Sequence, residues 1–178
     1  MQQVVDVKPS AASQEISERR FADLLTPLIE PGFRLALAML HDAQAAEDAV
    51  QEASFTAWRK VSRIQDQGRL RPWFLGVVAN KCRNARRVKW AVEVNLGLSE
   101  ELAVPSAEEL TLRGADLRHA VTRLGYQDRL VVILYFYLDM SVEEVAAVAG
   151  KSVGATRARL YRAISKLRPD LTVQEAMW

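Results

Sequence analysis

From Ile16 onward, apolar positions recur mostly at helical spacing. Phe21, Leu24, Leu25 and Leu28 make a first stripe, and Pro27 or Pro31 is expected to kink or break it before a second run from Phe33 to Leu40. Asp42 opens the next segment, in which Ala46, Ala49, Val50, Ala53, Ala57 and Val61 share an inward face while Glu47, Asp48, Gln51 and Glu52 point outward. Gly68 marks a boundary, and Pro72 suits the first turn of a further helix with Trp73, Val77 and Val78 toward a core. Leu117 to Leu124 and Gln127 to Leu138 continue the pattern. The VVILYFYL run in the second of these could be a strand on β-propensity, but its position among helices and the Leu130, Ile133, Leu134, Tyr137 spacing favour a buried helix.

The last two helices carry clear local signals. Ser141 and Glu144 form a capping box ahead of Val142, Val145, Ala146 and Ala149; Gly150 supplies a turn, and Ser152 caps a helix whose inner face is Val153, Thr156, Leu160, Ile164 and Leu167. At about 100° per residue, Ala155, Ala158, Arg162 and Ser165 face the other way, with Arg157, Arg159 and Tyr161 on the flanks. The expected fold is all-α, two small helical domains joined by a linker, the C-terminal one a helix-turn-helix.

Charge divides the chain more sharply than its total suggests. Formal net charge is only +2, yet Arg59 to Lys89 holds ten basic residues against the single acid Asp66. From 91 to 112 the periodicity fades and the sign inverts: Glu93, Glu100, Glu101, Glu108 and Glu109 occur with no Lys or Arg. After Gly150 the sign inverts again, with Lys151, Arg157, Arg159, Arg162, Lys166 and Arg168 and no acid among them. The boundaries that follow are a loose tail over 1–15, a helical domain over 16–90, an acidic linker over 91–112 and a second domain over 113–178. A basic helix carrying small residues, set after a tight turn, is the arrangement that enters a DNA groove.

Other chemistry is sparse. The lone Cys82 excludes an intramolecular disulfide, and with only His41 and His119 beside it neither a closed zinc site nor another metal or cofactor site is expected. Nothing resembles a nucleophile with its base or a glycine-rich phosphate loop, so an enzyme is not expected. No apolar run reaches the ~20 residues that span a bilayer, and the N-terminus lacks a basic n-region followed by an apolar h-region, so a cytoplasmic protein without membrane contact is expected.

Three segments, in order, carry a resemblance. Residues 46–59, AEDAVQEASFTAWR, are similar to the polymerase-binding segment of the extracytoplasmic-function (ECF) sigma factors of the sigma-70 family. Residues 71–87, RPWFLGVVANKCRNARR, resemble their promoter-melting segment, and residues 154–163, GATRARLYRA, their upstream-element reader. Ser54 departs from the family's usual aromatic, with Phe55 beside it placed to take over the packing; Ala155, Thr156 and Ala158 replace the usual Thr, Val and Ser, which implies an altered DNA preference.

The resemblance implies a promoter-specificity subunit that joins bacterial core RNA polymerase, recognises and melts promoter DNA, and is held silent by an anti-sigma factor. It implies polymerase contacts from Glu47, Asp48, Gln51 and Glu52, whose residue-level alternative is a solvated face. It places Asn80, Lys81, Arg83, Asn84, Arg86 and Arg87 on the downstream promoter element, where an amide meets a base edge and cations follow the phosphates of an opened strand. Trp73 stands between a core residue and a base platform. Ser152, Ala155, Arg157, Ala158, Arg159, Tyr161 and Arg162 fall on the upstream element, with Arg159 open between a structural role and a phosphate contact. The rival readings are a stand-alone helix-turn-helix regulator that binds duplex operators without polymerase, and a protein-interaction adaptor whose basic faces are merely solvated.

Overall fold

The computed structural model describes residues 11–60, 67–96 and 112–175. The described residues form helices α1 (Ala11–Leu40), α2 (Ala43–Lys60), α3 (Leu70–Leu96, entered through a 3-10 turn at Gln67–Arg69), α4 (Leu112–Arg123), α5 (Tyr126–Val132), α6 (Val142–Ala149) and α7 (Val153–Glu175). The first three pack on one another, and α4 to α7 form a second bundle in which α6 and α7 are the two helices flanking Gly150.

α1 begins at Ala11, inside the expected tail, and continues unbroken through Pro27 and Pro31. The expected break does not occur because the stripe on both sides of the prolines is buried as one surface: Leu25, Leu28, Leu35, Ala36 and Met39 all lie in the core. Burying the four larger of these side chains is worth ~1.5–3 kcal/mol each, which offsets the ~3 kcal/mol that each of the two helix-interior prolines costs. Gly32 has a packing reason, since a Cβ there would stand 3.0 Å from the Phe74 ring of α3.

α2 agrees with its pattern. Asp42 Oδ1 accepts from Ala45 N at 3.0 Å as the cap, Ala46, Ala49, Val50, Ala53 and Ala57 are buried, and the acidic face is exposed. Val61 lies outside the described residues. Phe55 does not take the packing role expected of it: it is 63% exposed, because two 100° steps separate it from both Ala53 and Ala57 and carry it to the far side of the helix. Ser54 is half-buried and turns its hydroxyl back to Val50 O at 2.8 Å. α3 runs to Leu96, six residues into the expected linker, of which 97–111 lie outside the described residues.

The apolar run after Gln127 is helical but not uniformly buried. Val132 gives way to a π-helical turn over Ile133–Tyr137, with Leu138 N donating to Ile133 O at 3.0 Å. The wider turn keeps Leu134 and Leu138 inside and swings Tyr135, Phe136 and Tyr137 out, so Tyr137 departs from the expected inward spacing. Asp139, at φ 51°, then turns the chain, a conformation that Asp tolerates through local hydrogen bonding.

Gly150 stops α6 at φ 63°, ψ 41°, and Lys151 N donates to Ala146 O at 3.0 Å, closing a Schellman turn. Both halves of the capping box are present at Ser141 and Glu144, and Ser152 Oγ accepts from Ala155 N at 3.2 Å to cap α7. The two bundles share one apolar core: Leu130, Val131, Leu134, Val145, Val148 and Leu160 join the cluster built around Leu35, Phe74 and Val78.

Candidate nucleic-acid interface

α7 sorts its cations by packing. Thr156, Leu160, Ala163 and Leu167 are buried against the bundle, which leaves Ala155, Arg157, Ala158, Tyr161 and Arg162 exposed on the outer side. Arg157 and Arg162 make no hydrogen bond or ion pair among the described residues. Ser152, Ala155 and Ala158 leave room for close backbone approach beside them. Thr156 is 1% exposed, so of Ala155, Thr156 and Ala158 only the two alanines face outward.

Arg159 is placed differently. Its Nη1 donates to Asp128 Oδ1 at 2.8 Å, while Lys166 Nζ donates to Asp128 Oδ2 at 2.6 Å. Burial pushes the Asp128 carboxyl up, but the hydrogen bonds from Lys166 and Arg159 outweigh it and hold the group below the ordinary carboxylate range. The neighbouring Arg129 is buried as well. Its Nη2 donates to Leu124 O at 3.1 Å and to Thr122 O, closing the C-terminus of α4, and its Nη1 donates to His41 Nε2 at 2.8 Å. Burial, then Arg86, brings its pKa down to about 10. His41 must accept from Arg129, which fixes its proton on Nδ1. Burial and the charges of Arg129 and Arg86 push its pKa below the ordinary histidine value.

The basic face of α3 is exposed through Asn80, Arg83, Asn84, Arg86 and Arg87, with Lys81 half-buried. Asn80 Oδ1 accepts from Arg83 Nη1 at 3.1 Å. Lys81 Nζ meets Glu52 Oε2 at 2.8 Å, which joins the acidic face of α2 to the basic face of α3; with Glu52 exposed and Lys81 half-buried, the pair contributes little beyond register. Trp73 is half-buried, packs against the core and lines a shallow cleft of about 340 Å³ with Asn80 and Arg83. The opposite wall of that cleft is the end of α6, Ala147 to Gly150.

The C-terminal bundle thus leans on the α3 surface. Gly76 brings the two backbones close, a Cβ there standing 3.7 Å from Val148 O. Arg71 Nη2 donates to the Leu138 carbonyl at 2.6 Å, and Tyr126 OH donates to Ala79 O at 2.6 Å. The guanidinium carbons of Arg83 and Arg86 stand 5.6 and 5.3 Å from the Tyr126 ring centroid, within cation–π range. Tyr126, Asp128, Arg129 and His41 were not legible as site residues. For Tyr126, Asp128 and Arg129 the one local signal is their place directly ahead of the most apolar run; His41 has none. Cys82 is buried and its thiol is pushed up to about 12, which leaves it unreactive. The described residues contain no cluster of three or more potential metal ligands, and no described helix is long and apolar enough to cross a membrane.

A two-bundle helical chain with one basic face on α3 and a second on a capped helix-turn-helix is the form of a promoter-binding transcription protein. Comparisons with known proteins agree. Residues 27–92 match the family model of sigma-70 region 2, and residues 115–167 match sigma-70 region 4. The chain is 30% identical over 148 residues to the ECF RNA polymerase sigma factor SigL of Mycobacterium tuberculosis, covering 80% of this chain and 82% of that protein. It is 26% identical over 143 residues to the RNA polymerase sigma factor SigV of Bacillus subtilis, covering 80% and 86%. The sigma factor RpoE, solved in complex with the anti-sigma factor NepR from Bartonella quintana, superposes with a TM-score of 0.74 at 25% identity over 87% of this chain and 98% of that one. CnrH, solved with the cytosolic domain of CnrY, gives 0.65 at 25% identity over 88% and 90%.

This chain therefore belongs to the extracytoplasmic-function RNA polymerase sigma factors. Its role lies in transcription initiation.

Proposed function

We propose that the chain joins bacterial core RNA polymerase through α2, opens the downstream promoter element with α3 and reads the upstream element with α7. It works in the cytoplasm by binding alone. Its domains are assigned as 16–90 for the first two tasks and 113–178 for the third, with a tether in 91–112 whose first six residues continue α3 and a tail in 1–15 that α1 enters at Ala11. On α2, Glu47, Asp48, Gln51 and Glu52 give charge complementarity to a basic partner, and the exposed Phe55 and Trp58 supply the apolar anchors that an acidic face lacks. On α3, Asn80 takes a base edge while Lys81, Arg83, Asn84, Arg86 and Arg87 follow the phosphates of one strand. On α7, Arg157 and Arg162 reach bases or phosphates, with Ser152, Ala155, Ala158 and Tyr161 in the contact.

The observation that carries this reading is that Arg157 and Arg162 stand exposed beside two alanines on a helix whose other face buries Thr156, Leu160, Ala163 and Leu167. Arg162→Ala is expected to cost ~1–3 kcal/mol at the upstream element and to relax its sequence preference. An anti-sigma protein is assigned as partner because RpoE and CnrH, to which the fold is similar, were solved with NepR and CnrY.

The test adds the chain to sigma-free core polymerase on a promoter library. Initiated transcripts from a defined promoter set are expected. No transcripts from any promoter, with tight binding of duplex operators by the chain alone, would establish the stand-alone regulator instead.

A further inference from the structure

We infer that Asp128 is a positioning residue of the upstream reader: it holds Arg159 and Lys166 out of the DNA contact and so selects which cations α7 presents. The inference rests on the reading of α7 as the helix that meets DNA. Residues 159 and 166 are seven apart, about two helical turns, and therefore share one edge of α7. One carboxylate takes both, at 2.8 and 2.6 Å.

Anchoring is unequal. The Asp128 side chain is 11% exposed, against 33% for Arg159 and 59% for Lys166, so the cations come to the carboxylate and not the reverse. Asp128 lies in the first turn of α5, and the adjacent Arg129 ties that turn to the end of α4. The carboxylate is thus fixed to the bundle, and two bonds to it define how α7 is rotated about its own axis.

A phosphate competing for Arg159 or Lys166 would have to displace a short charge-assisted bond and approach a buried negative charge. Arg157 and Arg162 carry neither burden. With Arg159 and Lys166 both bonded to Asp128, the cluster offers a phosphate no free cation in place of two. Sequence-blind attraction to DNA follows the number of phosphates neutralised, so Asp128 lowers it while leaving the base-facing arginines in place. Discrimination between promoters, more than affinity, is the quantity this carboxylate sets.

The experiment uses the full chain assembled with core polymerase. Its probes are the duplex that the wild-type assembly enriches most from a randomised library and a scrambled duplex of the same composition. The dependence of log binding constant on log salt concentration is measured for each variant. Arg157→Met and Arg162→Met are each expected to flatten the slope by about 1, as loss of one phosphate neutralisation does. Arg159→Met and Lys166→Met leave it unchanged. Asp128→Asn steepens the slope on the scrambled duplex by up to about 2 and narrows the preference for the enriched duplex. Adding Arg159→Met and Lys166→Met to Asp128→Asn restores the wild-type slope. A slope flattened by about 1 in Arg159→Met or Lys166→Met overturns the inference even where Asp128→Asn does not fold. So does an Asp128→Asn protein whose thermal midpoint falls while slope and preference stay put. Unchanged slopes in Arg157→Met and Arg162→Met overturn the underlying reading of α7 instead.

Discussion

The two halves of the molecule bury different things. Around Leu35, Met39, Phe74 and Val78 the N-terminal core is apolar throughout, whereas the buried polar and charged residues among those described, Asp128, Arg129 and Thr156, all belong to the C-terminal half. Apolar packing is non-directional and tolerates small rotations of a helix. A carboxylate bonded to two cations, or a guanidinium bonded to two carbonyls and an imidazole, specifies orientation. The half with α7 therefore fixes angle as well as volume, which suits the reader role proposed for that helix.

The largest effect expected from this contrast is on the apolar side. Phe74→Ala removes a fully buried ring at the crossing of α1 and α3 and should destabilise the fold by about 3–5 kcal/mol in chemical denaturation. Next comes Arg129→Ala, which leaves the carbonyls of Thr122 and Leu124 without their donor; a loss of about 3 kcal/mol is expected, with amide exchange rising first in α4. If that exchange rises equally across α1 to α3, the halves are not distinguished by how they are held.

Acid should separate the halves more finely. His41 has a folded-state pKa below its unfolded value, so protonation favours unfolding: stability is full above about pH 6.5 and declines as pH falls toward the folded value. Asp128 has a folded-state pKa below the unfolded 3.8, so its contribution is present above 3.8 and is lost as pH falls through the folded value. Stability against pH should therefore fall in two steps, His41→Asn removing the first and Asp128→Asn the second. A two-step loss persisting in both variants would detach it from these groups.

The smallest expected change is a gain. Thr156 is buried with its hydroxyl unpaired among the described residues, so Thr156→Val exchanges an unsatisfied oxygen for a methyl of similar shape. It should raise the stability of the C-terminal half by about 1 kcal/mol and leave promoter preference untouched, since the side chain points away from the outer face.

What the chain discloses in one dimension follows the same divide. The Ser141 and Glu144 capping box, the left-handed Gly150, the Ser152 cap and the alanine stripe of α2 depend on residues within a few positions of one another, and each was legible. The exposure of Phe55 and the continuity of α1 through Pro27 and Pro31 were not, because both depend on which neighbouring helices cover the segment. The Asp128 pairings span 31 and 38 residues, Tyr126 to Ala79 spans 47, and Arg129 to His41 spans 88. No periodicity announces a bond across such distances.

Most of the candidate residues on α3 and α7 are exposed, with Lys81 and Arg159 half-buried. Hidden from the sequence was the division of the α7 cations by one carboxylate, and the placing of Tyr126 against Arg83 and Arg86.

Photo-crosslinking from two positions tests the central claim most directly. A photoreactive side chain at position 80 and, separately, at position 162 is carried into complexes with core polymerase on a promoter. Position 80 should crosslink to one strand of the opened downstream element and position 162 to the upstream duplex, both only when polymerase is present. Crosslinking of both positions to the same duplex site, undiminished without polymerase, would contradict the account.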